Sequence, residues 1–124
     1  MSVVRAAEVP VHHLHGSRFT PLIRPSSGSA EVCVWKVEVA PATAGVPHRI
    51  LREEAFVLLD GAITLTIDGV TTTLAPGDAA VAPTGSTIAL GNDSDGPATV
   101  LVSTTVGFTG ELLDGTVVEP PWVN

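Results

Sequence analysis

The chain is predicted to be all-β, a sandwich or barrel of many short strands. Three observations predict this. Apolar and polar residues alternate with a period of two in several short segments. Twelve glycines and ten prolines punctuate those segments with turns. No segment repeats apolar residues at the spacing of an amphipathic helix.

In chain order, residues 1–30 are the least regular and are expected to form an N-terminal arm, before a barrel core at 31–107 and a tail at 108–124. Val32 to Val39 alternates, with Cys33, Trp35, Val37 and Val39 on one face and Lys36 and Glu38 on the other. Ile63 to Ile67 alternates apolar residues with threonines and ends at Asp68-Gly69, a hairpin signal. Thr71 to Leu74 runs back. Pro76-Gly77-Asp78 is a further turn before a short strand, Ala79 to Ala82. The polar cluster Asn92 to Pro97 precedes a strand rich in threonine and valine, Ala98 to Val106. Glu111 to Leu113 is expected to form at most one helical turn. Pro120-Pro121-Trp122 cannot extend a strand ladder in the ordinary way.

At 124 residues the chain is expected to be one domain, large enough to bury roughly two-thirds of its unfolded surface. Thirteen acidic residues against six basic ones give a net charge of −7. That disfavours nucleic acid and anionic membranes as partners. Cys33 is the sole cysteine, so an internal disulfide is ruled out, and its apolar setting predicts a buried packing thiol. Met1 to Pro10 lacks the apolar run of a secretory signal, and no stretch has the length and apolarity of a membrane-spanning helix. A cytoplasmic location is therefore expected. One lysine beside five arginines, with abundant Ala, Val and Gly, points to a bacterial source.

Two spaced motifs carry more. The first comprises His48, Glu54 and Gly61, with Ile50 two residues after His48. The second comprises Gly77, Pro83, Gly85 and Asn92, with Ile88 between the last two. Together they resemble the paired signatures of the cupin superfamily, in the form of a small single-domain cupin. In that family histidines stand where this chain has Ile50 and Ile88. The resemblance implies a double-stranded β-helix, or jelly-roll barrel, whose interior pocket holds a metal on three histidines and a glutamate. It also implies a homodimer.

Carried over residue by residue, only His48 and Glu54 keep a ligating side chain. Isoleucine has no lone pair, and two ligands fall short of the three usual for catalytic zinc or non-haem iron. No cofactor is therefore expected; a divalent metal, if held, would rest on His48 and Glu54. His12, His13 and His15 could supply replacement ligands. His13 and His15 would share one face of an extended strand. The plainer reading of these three is a polar, exposed arm, and it is preferred.

Glu54 should point inward and Glu53 outward, towards Arg49 or Arg52. Glu54 is open to two readings: a structural carboxylate hydrogen-bonded to His48, or a buried acid or base. Trp35, Phe56, Leu58, Leu65, Ile67, Leu90 and Val102 are expected in the core or the pocket wall. Trp35, His48, Ile50, Glu54, Phe56, Ile88 and Leu90 form the candidate ligand site, with Glu54 and His48 as the candidate acid–base pair. Phe108 and Trp122 are expected to cap the barrel or a dimer contact. The first functional expectation is binding of a small, largely apolar organic molecule, with or without isomerase- or cyclase-type proton transfer. The alternative is a metal-dependent enzyme, such as a dioxygenase, with an atypical ligand set.

Overall fold

A computed structural model describes residues 2–124. Twelve strands occur among them: β1 (His12–Leu14), β2 (Ser17–Ile23), β3 (Val32–Val39), β4 (His48–Ile50), β5 (Glu54–Asp60), β6 (Ile63–Ile67), β7 (Val70–Leu74), β8 (Ala79–Ala82), β9 (Thr87–Gly91), β10 (Ala98–Thr105), β11 (Gly110–Leu112) and β12 (Val117–Val118). Two 3-10 turns, Ala6–Glu8 and Pro25–Ser27, are the helical elements of this part of the chain. The strands form two six-stranded antiparallel sheets, ordered β1-β2-β3-β10-β5-β8 and β12-β11-β4-β9-β6-β7. This is the jelly-roll barrel, with the core between the sheets.

Alternation becomes burial in the way the period of two demands. Cys33, Trp35, Val37 and Val39 of β3 face the core. Lys36 and Glu38 face out, where Glu38 pairs with Arg18 at 3.0 Å and Lys36 at 3.6 Å. In β10, Ala98, Val100, Val102 and Thr104 point inward. Cys33 is fully buried, and its thiol lies 3.4 Å from the Val123 carbonyl. The β6–β7 hairpin turns on Asp68 (φ 48°) and Gly69 (φ 82°), two left-handed residues that match the right-handed twist of the strands they join.

Both motifs have structural grounds. At Gly61 (φ 81°) a Cβ would lie 2.4 Å from the Pro97 carbonyl oxygen, which no side chain tolerates. Asn92 is fully buried. Its Nδ2 donates to the carbonyls of Val39 (3.1 Å) and Gly96 (2.9 Å), and its Oδ1 accepts from the Ser94 amide and hydroxyl. It ties the turn after β9 to the end of β3.

Two segments differ from expectation. Residues 12–23, expected within an irregular arm, supply β1 and β2, and β2 pairs with β3 from Ser17 to Ile23. Pro21 hides this in the sequence. It is tolerated because it lies beyond the three-residue partner β1 and at a shift in register. Residues 110–112 form β11, not a helical turn, because β4 offers them an open edge.

Candidate functional site

Between the sheets lies a cavity of about 210 Å³. The first sheet contributes Phe19, Trp35, Glu54, Phe56 and Val102; the second contributes His48, Ile88 and Leu90. The tail closes one side: Pro120, Pro121 and Trp122 line the cavity, and Trp122 stacks on Phe19 at 3.8 Å with the planes 7° apart. Phe108 reinforces the wall, its ring 5.8 Å from that of Trp35.

Glu54 opens β5, opposite Ala82 of β8, and shares its inward face with Phe56 and Leu58. Its exposure is 4%, whereas Glu53 is exposed. Burial alone pushes the Glu54 carboxyl up to about 8; no hydrogen bond or cation offsets it. The carboxyl is therefore mostly protonated at neutral pH.

His48 enters from the other sheet, across from Ile88 of β9 and Leu112 of β11. Its Nδ1 lies 3.0 Å from the Val46 carbonyl oxygen. A carbonyl can only accept, so Nδ1 carries the hydrogen, and in the neutral ring Nε2 keeps a free lone pair. His48 thus spends its Nδ1 bond on its own loop, not on Glu54. Arg49 points outward. Its Nε donates to the Gly85 carbonyl (3.3 Å), and its guanidinium lies 4.0 Å from Glu111 instead of Glu53.

Of the candidate ligand residues, Trp35, His48, Glu54, Phe56, Ile88 and Leu90 meet at the cavity. Ile50 does not. It ends β4 fully buried in the core, packed among the hydrophobic cluster and not in the cavity lining. The arm histidines do not gather either. His13 is exposed, and His12 packs on Trp122 with ring centres 6.2 Å apart. His15 leaves the strand for the β1–β2 turn (φ 51°), so it does not share a strand face with His13; it does line the cavity. Buried Nε2 of His12 and Nε1 of Trp122 have no hydrogen-bond partner. Phe19, Ser17 and Glu111 are wall residues that no sequence motif singles out. Phe19 alone had a signal, the apolar alternation that Pro21 interrupts.

Among the described residues no three of His, Cys, Asp and Glu come together as a metal-binding group. His48 and Glu54 are the two side chains in the family's ligand slots that could ligate. Ile88, at a third slot, presents only hydrocarbon. The donor set does not fit a catalytic metal centre.

Two paired antiparallel sheets around an apolar cavity, whose lining includes the carboxyls of Glu54 and Glu111 and the imidazoles of His15 and His48, define a jelly-roll barrel with an internal pocket. A sequence profile described as a cupin domain matches residues 35–104, more than half of the chain. The chain belongs to that family. Among solved structures it is similar to the polyketide cyclase RemF from Streptomyces resistomycificus, with TM-score 0.81 and 20% identity over 98% of this chain and 90% of that one. It is also similar to an RmlC-like cupin from Shewanella frigidimarina, with TM-score 0.72 and 13% identity over 83% and 88% of the two chains. A third is a cupin-superfamily sugar phosphate isomerase from Silicibacter pomeroyi, with TM-score 0.66 and 21% identity over 84% and 76%. At these identities the likeness is one of fold. A search of curated proteins finds no match. No helix among the described residues is long and apolar enough to cross a membrane.

Proposed function

We propose that the barrel binds a small, largely apolar organic molecule and moves a proton on it, in an isomerisation or cyclisation, with Glu54 and His48 as the acid–base pair. The observation that carries this reading is the Glu54 carboxyl: buried, without a partner, in an apolar cavity, and held near 8. A structural carboxylate would be satisfied by hydrogen bonds, whereas an unpartnered one awaits a group from the ligand.

The chemistry follows from the protonation states. Glu54 begins neutral and donates its proton to a carbonyl oxygen of the substrate. The free Nε2 of His48 takes a proton from the adjacent carbon. The C–H bond breaks, an O–H bond forms, and an enol stands between a carboxylate and an imidazolium. The imidazolium then gives its proton to the same or another carbon while the enol O–H returns its proton to the Glu54 carboxylate, which restores the carbonyl and resets both groups. The apolar wall limits water around Glu54, and Trp35 and Phe56 make part of that wall aromatic. The polyketide cyclase and the sugar phosphate isomerase among the similar structures support this kind of reaction on this fold. The metal-dependent reading draws no such support from the donor set.

The test uses 2-indanone in D2O, with NMR following deuterium at the carbon beside the carbonyl. Wild-type protein should catalyse exchange, and Glu54→Gln should slow it by about 10²–10⁴-fold, the usual contribution of a general acid or base. Equal exchange by the two proteins, or none by the wild type, overturns the proposal.

A further inference from the structure

Four of the large apolar side chains that stand exposed are also walls of the cavity: Leu14 (45% exposed), Val46 (40%), Leu112 (37%) and Val118 (37%). Leu14 belongs to β1, the edge of one sheet. Val118 belongs to β12, the corresponding edge of the other. Leu112 lies on β11 beside it, and Val46 in the loop entering β4. The cavity therefore reaches the surface between the edges β1 and β12, and its rim is an apolar collar. Val70 and Val81, exposed on the opposite edges β7 and β8, do not touch the cavity. Single exposed apolar residues are ordinary; a collar continuous with a cavity wall marks a binding surface.

Two further facts bear on what the collar covers. No Arg or Lys lines the cavity, while Glu54 and Glu111 do, so no permanent cation there would neutralise a phosphate or carboxylate. In size, an apolar cavity of ~150 Å³ holds benzene. The 210 Å³ here therefore accommodates about one substituted ring.

We infer that the ligand is elongated and uncharged. One polar ring or head sits at Glu54, and an apolar body longer than the cavity runs out between β1 and β12 onto Leu14, Val46, Leu112 and Val118. This rests on the placement of the ligand at Glu54 proposed above and adds its length and charge. A second copy of the chain fits the collar less well, because the collar rings an opening instead of forming a flat face. Each copy also carries a net charge of −7.

The experiment measures binding of phenol and its 4-alkyl derivatives, methyl to octyl, by calorimetry below their aggregation thresholds. Affinity should rise by about fourfold per methylene and keep rising beyond butyl, after the cavity is full. The triple variant Leu14→Ser, Leu112→Ser, Val118→Ser should lose the gain from butyl- to octylphenol, read as the ratio of the two affinities within each protein. 4-Octylbenzoate should bind far more weakly than 4-octylphenol. A plateau at short chains in the wild type overturns the inference without any variant, as does benzoate binding equal to that of the phenol. A triple variant that changes its sedimentation but binds octylphenol like wild type assigns the collar to a second copy and also overturns it. If phenol binds but the chain-length gain is missing, this inference alone fails. If phenol does not bind, the placement of the ligand in the cavity fails, and this inference with it.

Discussion

Replacing Glu54 with glutamine should remove the largest single loss of stability that the protein suffers as pH rises from 4.5 to 8. The carboxyl titrates at 4.5 in its reference state and near 8 in the folded barrel. Below pH 4.5 it is neutral in both states, and its burial carries no charge penalty. Between pH 4.5 and 8 the unfolded chain releases the proton and the folded chain keeps it, so ionisation favours unfolding. Stability therefore falls as pH rises through this window and levels off above 8. One proton contributes about 1.4 kcal/mol per pH unit, so the window is worth ~5 kcal/mol. That is a large share of the 5–15 kcal/mol typical of a domain. Glutamine keeps the shape and cannot ionise. Urea unfolding of both proteins from pH 4 to 9, followed by the fluorescence of buried Trp35 and Trp122, isolates this proton, since all other groups cancel in the difference. Glu54→Gln should gain ~5 kcal/mol on the wild type between the two ends of the window. Parallel curves, differing by less than ~1 kcal/mol across it, would show that Glu54 is not the buried, unpartnered acid described here.

Four other outcomes are expected. Ile88→His places an imidazole opposite His48 and in the same cavity as Glu54, and should recruit zinc or cobalt at one ion per chain, read by elemental analysis. Ile50→His should recruit none and should unfold at lower urea, because Ile50 packs in the core away from the cavity. Asn92→Ala removes the Nδ2 donor from the Val39 and Gly96 carbonyls, of which Gly96 keeps the Ser94 hydroxyl, and should cost about 1–3 kcal/mol for the group left unpaired, measured by the same urea titration. Trp122→Phe keeps an aromatic face for Phe19 and removes an orphaned indole N–H. It should lie within ~1 kcal/mol of wild type, whereas Trp122→Ala should lose about 3–5 kcal/mol.

Much of the fold and part of the site are legible in the sequence, because strand alternation and turn residues are local. Val32 to Val39, Ile63 to Ile67 and Ala79 to Ala82 form strands at the expected residues, and the inward direction of Glu54 follows from its place beside an outward Glu53. The two motifs are spaced turns and contacts of one barrel, so they indicate the family before any coordinates. Tertiary structure alone decides the rest. Residues 12–23 join the sheet only because β3 presents an edge to them, and Pro21 masks that affinity in the one-dimensional pattern. Ile50 and Ile88 are equivalent in the motifs and both are buried in the core, yet only Ile88 also lines the cavity, since that depends on what packs against each one in space. The raised pKa of Glu54 belongs to the same class. It arises from Phe56, Trp35, Val102 and the tail converging on the site from positions far apart in the chain, and desolvation is a property of what surrounds a residue in space.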